Sequence, residues 1–366
     1  MKLEEKGNQL ILWIGWQNKM LFENILGSEK VFGQLKRLSA KPLFPPLLFW
    51  GRPGIGKRTT ALLFTQNLMC EKEGCGECRF CQEIAQMRHP DLWVLFPSPP
   101  QPKRNDDERY LDTIQRLRRG YSLNQKRPTV PKNYVIHLED IHNLSTEMRF
   151  KPRLAKKRVV IVIDAERMTQ EASNAFLKTL EEPQRDTVFI LLTSRFSFLP
   201  STIRSRCLPI YFPPLKDEII TEYLLKMGYD EISVKRALAF AYGSLRRALD
   251  FLSNPFPIPE EILSLALSPS LPTLFTLIDE LRLTNWEETV QNLILLFHSQ
   301  LLKKTGLKNY ETFYPEGFTV EELLTRIESL LNLQPDLAYN LNRRLFLFSF
   351  LTMLLKKSGR KQTKKE

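Results

Sequence analysis

Three groups of residues have the types and spacing to do chemistry. Gly51-Arg52-Pro53-Gly54-Ile55-Gly56-Lys57 fits G-x-x-x-x-G-K. Such glycines let backbone N–H groups turn inward and close on phosphate oxygens, and the lysine reaches the β and γ phosphates. Gly51, Gly54, Gly56 and Lys57 are therefore candidate nucleotide contacts, with Thr59 able to touch a phosphate. The position after the lysine ordinarily carries a Ser or Thr whose hydroxyl binds Mg²⁺. Here it is Arg58, whose charge repels the metal. The second group is Asp164, at the carboxyl end of the apolar run Val159–Ile163 and able to hold Mg²⁺ through water. Where such sites hydrolyse, the next residue is a Glu that orients the attacking water; here it is Ala165. Glu166 follows, but on an extended strand adjacent side chains point to opposite faces, which makes it a poor substitute. ATP with Mg²⁺ is the ligand the loop suits, and both departures argue against its turnover.

The third group is Cys70, Cys75, Cys78 and Cys81, in the spacing C-x4-C-x2-C-x2-C. Four thiolates suit tetrahedral Zn²⁺, and a full set of protein ligands leaves no open position, so the role is structural. Clustered cysteines also read as a metal site in a reducing compartment rather than a disulfide framework. Cys207 stands apart as a core thiol. His89, His137, His142 and His298 show no ligand spacing.

These groups need elements to position them. Leu43–Trp50 reads as a strand leading into the glycine loop, and Thr59–Met69 as the helix that follows. Asp91–Phe96, Val159–Ile163 and Val188–Leu192 read as further strands, with a helix over Thr169–Glu181. Short all-apolar strands alternating with helices predict a parallel sheet covered on both faces. Residues 97–133, rich in proline and charge, read as an insertion or mobile excursion with a helical patch near Tyr110–Arg119. After Pro213 the spacing is helical, near 215–227, 231–242 and 244–252. A proline-rich linker, Pro255–Pro259, precedes a helical remainder.

At 366 residues and 43% hydrophobic composition the chain divides into two or three domains with sizeable cores. The formal net charge of +12 favours an anionic partner, nucleic acid first. Much of that charge is terminal: Lys356, Lys357, Arg360, Lys361, Lys364 and Lys365. Leu10–Ile14 is apolar but follows Glu4 and Glu5, which argues against a secretory signal. Nothing approaches the ~20 apolar residues of a membrane span.

Several ordered features resemble the AAA+ clamp-loader subunits of bacterial DNA polymerase III, of delta-prime type and related to gamma/tau. They are the glycine loop, the cysteine cluster after its helix, His89-Pro90-Asp91, and Ala175-Phe176-Leu177-Lys178-Thr179-Leu180-Glu181-Glu182-Pro183. Thr193-Ser194, Ser205-Arg206-Cys207 and Gly243-Ser244-Leu245-Arg246-Arg247-Ala248-Leu249 complete the set. The resemblance covers residues from about 20 to about 250, and the family's zinc module has a longer first gap. It implies an AAA+ phosphate-loop core over 1–212, with a zinc module at 70–81 and the 97–133 insertion inside it. A helical lid over 213–254, an all-helical collar over 255–357 and a basic tail over 358–366 follow. It further implies a cytoplasmic hetero-oligomer with gamma/tau and delta subunits, acting on a sliding clamp and primed DNA.

In that family the Ser-Arg-Cys arginine acts on ATP bound to the neighbouring subunit, which makes Arg206 the catalytic candidate. Thr193 or Ser194 resembles the polar sensor of the γ-phosphate, and Arg246 the second sensor. The leading reading is a delta-prime-like scaffold that hydrolyses ATP poorly itself and gives Arg206 to a motor neighbour. Two alternatives stand beside it. One is a gamma/tau-type motor ATPase, against which the absence of a long C-terminal extension counts. The other is a zinc-containing nucleic-acid-binding protein, supported by the basic tail and by Lys103, Arg104, Arg116, Arg118, Arg119, Lys126 and Arg127.

Overall fold

The computed structural model describes residues 29–41, 45–100, 108–123, 125, 128, 130–131, 133–183, 186–253, 286–307 and 318–333. The chain divides into two units, Met1–Lys216 and Asp217–Glu366.

In the first unit, α1 (Glu29–Ser39) precedes β1 (Leu47–Trp50), and the glycine loop joins β1 to α2 (Lys57–Met69). α3 (Arg79–Ala85), β2 (Leu92–Leu95), α4 (Glu108–Tyr121), α5 (Leu138–Glu147) and β3 (Arg158–Val162) follow. Then come a 3₁₀ turn (Ala165–Arg167), α6 (Gln170–Glu181), β4 (Thr187–Thr193), α7 (Ser201–Arg204) and β5 (Leu208–Tyr211). The five strands form one parallel sheet in the order β2-β3-β4-β1-β5. This is the expected α/β core built on a parallel sheet.

The two-residue period of a strand explains why these short runs are apolar throughout. Leu47, Phe49, Val159, Ile161, Ile190 and Leu192 enter one core, shared with Phe64 of α2. Leu48, Val160, Val162, Phe189 and Leu191 enter a second core on the other face, shared with Phe176 of α6. The phosphate loop thus emerges at the carboxyl end of β1, flanked on either side by β4 and β5.

Two sequence expectations change. Residues 97–133 are not an excursion where they are described. α4 buries Leu117 and Tyr121 in the first core, with the Tyr121 ring 5.3 Å from that of Phe96. The Leu123 N–H donates to the Ala85 carbonyl at 2.8 Å. β5 carried no strand signal because Pro209 interrupts it. The strand is at the sheet edge, with β1 its neighbour, and an edge tolerates proline. Leu208 N–H donates to Pro46 O and Phe212 N–H to Trp50 O, so the residues flanking Pro209 keep the pairing.

The second unit contains α8 (Asp217–Lys226), α9 (Glu231–Ala241), α10 (Leu245–Ser253), α11 (Trp286–Lys304) and α12 (Val320–Leu333), with no strand among the described residues. The Pro255–Pro259 linker and the basic tail lie outside the described residues. No helix among the described residues is long and apolar enough to cross a membrane.

Candidate functional site

The phosphate loop is built from left-handed glycines. Gly54 has φ 78° and Gly56, the residue before α2, has φ 93°. Gly51 has φ 148°, and a Cβ there would lie 2.5 Å from Phe212 O and 2.7 Å from Ile55 Cδ1. The close passage of β1 past the end of β5 therefore requires glycine. Lys57 is buried. Its Nζ donates to Gly51 O at 2.6 Å, Arg52 O at 2.7 Å and Ser194 Oγ at 3.1 Å. The ammonium thus engages the loop's own carbonyls. Thr59 is half-buried in the first turn of α2. Thr60 is fully buried, with its hydroxyl on Gly56 O at 3.0 Å.

Arg58 has a structural employment that its position did not suggest. Its guanidinium donates to Gly120 O at 3.3 Å and to Gln125 O at 2.9 Å. The residue in the metal-ligand position ties the start of α2 to the end of α4 and the segment after it.

The acidic corner departs from its extended-strand reading. Asp164 is buried and left-handed (φ 52°, ψ 53°), so the chain has already turned before Ala165. The turn swings Glu166 toward the end of β4, where its Oε1 accepts from the Ser194 N–H at 3.3 Å. Glu166 Oε2 is buried without a hydrogen-bond partner. Lys57, Ser194 and Glu166 therefore form one chain of contacts. Thr193, the sensor candidate, is buried and turned elsewhere: its hydroxyl accepts from the Arg195 N–H at 3.0 Å. Ser194 is the polar side chain at this strand end that reaches the loop lysine.

The two candidate arginines lie in different units. Arg206 follows α7, its backbone fixed between buried Ile203 and Cys207, with 34% of its side chain exposed. Its Nε donates to Glu181 Oε1 at 2.7 Å, a second guanidinium nitrogen engages the same oxygen, and the third donates to Thr202 O at 2.9 Å. Arg246, in the first turn of α10, forms a forked ion pair with Asp250 at 2.8 and 3.1 Å.

The cysteine cluster assembles completely. Cys70 ends α2, and left-handed Glu73, Gly74 and Gly76 fold the chain back so sharply that four intervening residues suffice. The four sulfurs lie within 4.8 Å of one another. Cys70 Sγ is 3.8 Å from that of Cys75 and 3.6 Å from that of Cys78. Tetrahedral ligands at the ~2.3 Å of a thiolate–zinc bond would stand ~3.8 Å apart. Backbone N–H groups of Lys72, Cys78 and Cys81 point at the sulfurs of Cys70, Cys75 and Cys78. Burial pushes the Cys70 thiol up, but backbone N–H groups of Cys75, Gly74 and Lys72 outweigh it and bring it down to about 6. Burial holds the Cys81 and Cys78 thiols above their ordinary value. The group fits a metal ion on donor type, number and spacing.

His89-Pro90-Asp91 proves to be scaffolding. Asp91 is fully buried and accepts from the N–H groups of Arg153, Leu154 and Ala155 at 2.5–2.8 Å. Burial alone would raise its carboxyl; those three donors keep it below its ordinary range. Sequence reasoning missed this role, because the donors lie about sixty residues away.

The family described as "DNA polymerase III, delta subunit" matches residues 27–216. The DNA polymerase III subunit delta' of Pseudomonas aeruginosa is 30% identical over 203 residues, covering 54% of this chain and 52% of that protein. That of Bacillus subtilis is 28% identical over 210 residues, covering 57% and 53%. The DNA polymerase III subunit gamma of Buchnera aphidicola is 26% identical over 269 residues, covering 70% and 64%. The chain thus spans between half and two thirds of the length of these relatives.

Proposed function

Since the chain belongs to the DNA polymerase III, delta subunit family, we propose that it is a delta-prime-like subunit of a clamp loader, one that hydrolyses ATP poorly and gives Arg206 to a neighbouring ATPase. Its partners are then gamma/tau and delta subunits in a hetero-oligomer of the bacterial cytoplasm, a sliding clamp, and primed DNA. The observation that carries this reading is the contrast between the partners of two arginines. Arg58, at the position where a metal-binding hydroxyl would serve hydrolysis, is held by the Gly120 and Gln125 carbonyls. Arg206 keeps a partly exposed guanidinium at the surface of the first unit. A guanidinium supplied in trans stabilises charge on a transferring phosphoryl group.

Within this reading Gly51, Gly54, Gly56, Lys57, Thr59, Asp164 and Thr193 form the nucleotide site, to which Ser194 is added. Arg246 serves as the second sensor once released from Asp250. Cys70, Cys75, Cys78 and Cys81 hold a structural Zn²⁺, which stiffens the turn after α2.

The motor reading has one observation of its own: the turn at Asp164 brings the Glu166 carboxylate to Ser194 beside Lys57. ATP turnover by the purified chain with Mg²⁺, clamp and primed DNA separates the two. The scaffold reading expects no turnover above that of the Lys57→Ala variant. Mg²⁺-dependent turnover that disappears in both Lys57→Ala and Glu166→Gln would establish the motor instead.

A further inference from the structure

We propose that Glu181 is a positioning residue that parks Arg206, so that the arginine reaches a neighbour's nucleotide only when phosphoryl oxygens displace the Glu181 carboxylate. This rests on the reading of Arg206 as a group donated in trans.

The Arg206 guanidinium is engaged through three hydrogen bonds. All three of its nitrogens have partners: two on Glu181 Oε1 and the third on Thr202 O. A planar guanidinium recognises carboxylate and phosphate through the same N–H edges, so the two anions compete for one surface. With its Nε–Nη2 edge taken by the carboxylate, Arg206 can offer that edge to a phosphate only in place of Glu181.

Both ends of the pair are fixed by the core, unlike those of an ordinary surface ion pair. Arg206 is held between buried Ile203 and Cys207, while Glu181 follows buried Leu180 at the end of α6. The pair therefore forms with little loss of backbone freedom. Glu181 is also poorly placed for α6 itself, because a carboxylate in the last turn meets the negative end of the helix dipole. Among the described residues it has no polar partner besides Arg206. Its side chain is 46% exposed, so an approaching subunit can reach the pair without the fold opening.

The exchange needs no covalent step. The guanidinium leaves one anion for another, and the freed carboxylate is solvated where it stands. An amide at 181 keeps the shape and one acceptor oxygen but removes the charge, so release becomes easier.

The test is ATP turnover by the reconstituted assembly, with and without clamp and primed DNA, for wild type, Glu181→Gln, Glu181→Asp and Arg206→Ala. Parking predicts that Glu181→Gln raises the unstimulated kcat about two- to fivefold, the range set by an exposed ion pair. KM and the stimulated rate should stay near wild type, so the stimulation ratio falls. Glu181→Asp should restore much of the restraint. A Glu181→Gln variant that turns over slowly, like Arg206→Ala, would show that Glu181 extends the arginine and would overturn parking. So would unchanged unstimulated turnover. If Arg206→Ala itself leaves turnover intact, the donation of Arg206 falls first, and parking with it.

Discussion

The phosphate loop and the Arg206 corner carry positive charge within the same unit, yet they dispose of it in opposite ways. At the loop, Lys57 is buried against its own carbonyls and Arg58 is bound to the carbonyls of Gly120 and Gln125. At the corner, the guanidinium of Arg206 is partly exposed, paired with the Glu181 carboxylate and the Thr202 carbonyl. The first arrangement ties separate segments of the chain together, and the second leaves an ion pair partly open to solvent. Under the proposed function, substitutions at the loop should register as lost stability, and those at the Arg206 corner as altered turnover.

The largest stability effect should come from the cysteine cluster at the far end of the loop helix. Cys81→Ser, or removal of the metal by a chelator, is expected to cost about 3–5 kcal/mol. Thermal unfolding with metal analysis checks this; an unchanged melting temperature with no bound zinc would leave the cluster without its structural role. Asp91→Ala comes next, at about 2–4 kcal/mol, because three backbone donors lose their acceptor. The pH dependence has a definite sign. The folded carboxyl is held below its ordinary value near 3.8, so its stabilisation is complete above that value. It is lost as pH falls toward and through the lowered folded value. Asp91→Asn should flatten this acid limb in urea titrations; an unaltered limb would contradict the assignment.

Gly51→Ala should cost about 1–3 kcal/mol, since the new methyl group meets Phe212 O and Ile55. Arg58→Ala should cost about 1 kcal/mol through the loss of two carbonyl contacts. Arg206→Ala should be smallest, about 0.5 kcal/mol, because its ion pair is partly open to solvent. A melting temperature that falls further for Arg206→Ala than for Arg58→Ala would erase the contrast between the two regions.

The sequence was most legible where local pattern sufficed. All-apolar runs marked β3 and β4, and the glycine and cysteine spacings marked the loop after β1 and the four-thiol cluster. It was least legible where the cause was distant or conformational. Pro209 hid β5, because only its position at the sheet edge makes proline tolerable. The left-handed turn at Asp164 put Glu166 beside Ser194, against the alternation of an extended strand. The carbonyl partners of Arg58, the donors to the Asp91 carboxylate and the Glu181 partner of Arg206 lie 25 to 67 residues away in the chain, beyond any local rule.

The most direct test of the central claim is steady-state ATP turnover by the reconstituted assembly carrying Arg206→Ala or Lys57→Ala in this chain alone. The account predicts that Arg206→Ala lowers turnover at the neighbouring site by about 10³-fold or more. Lys57→Ala should leave total turnover within about twofold of wild type. The reverse ranking, with Lys57→Ala the damaging change and Arg206→Ala silent, would contradict it.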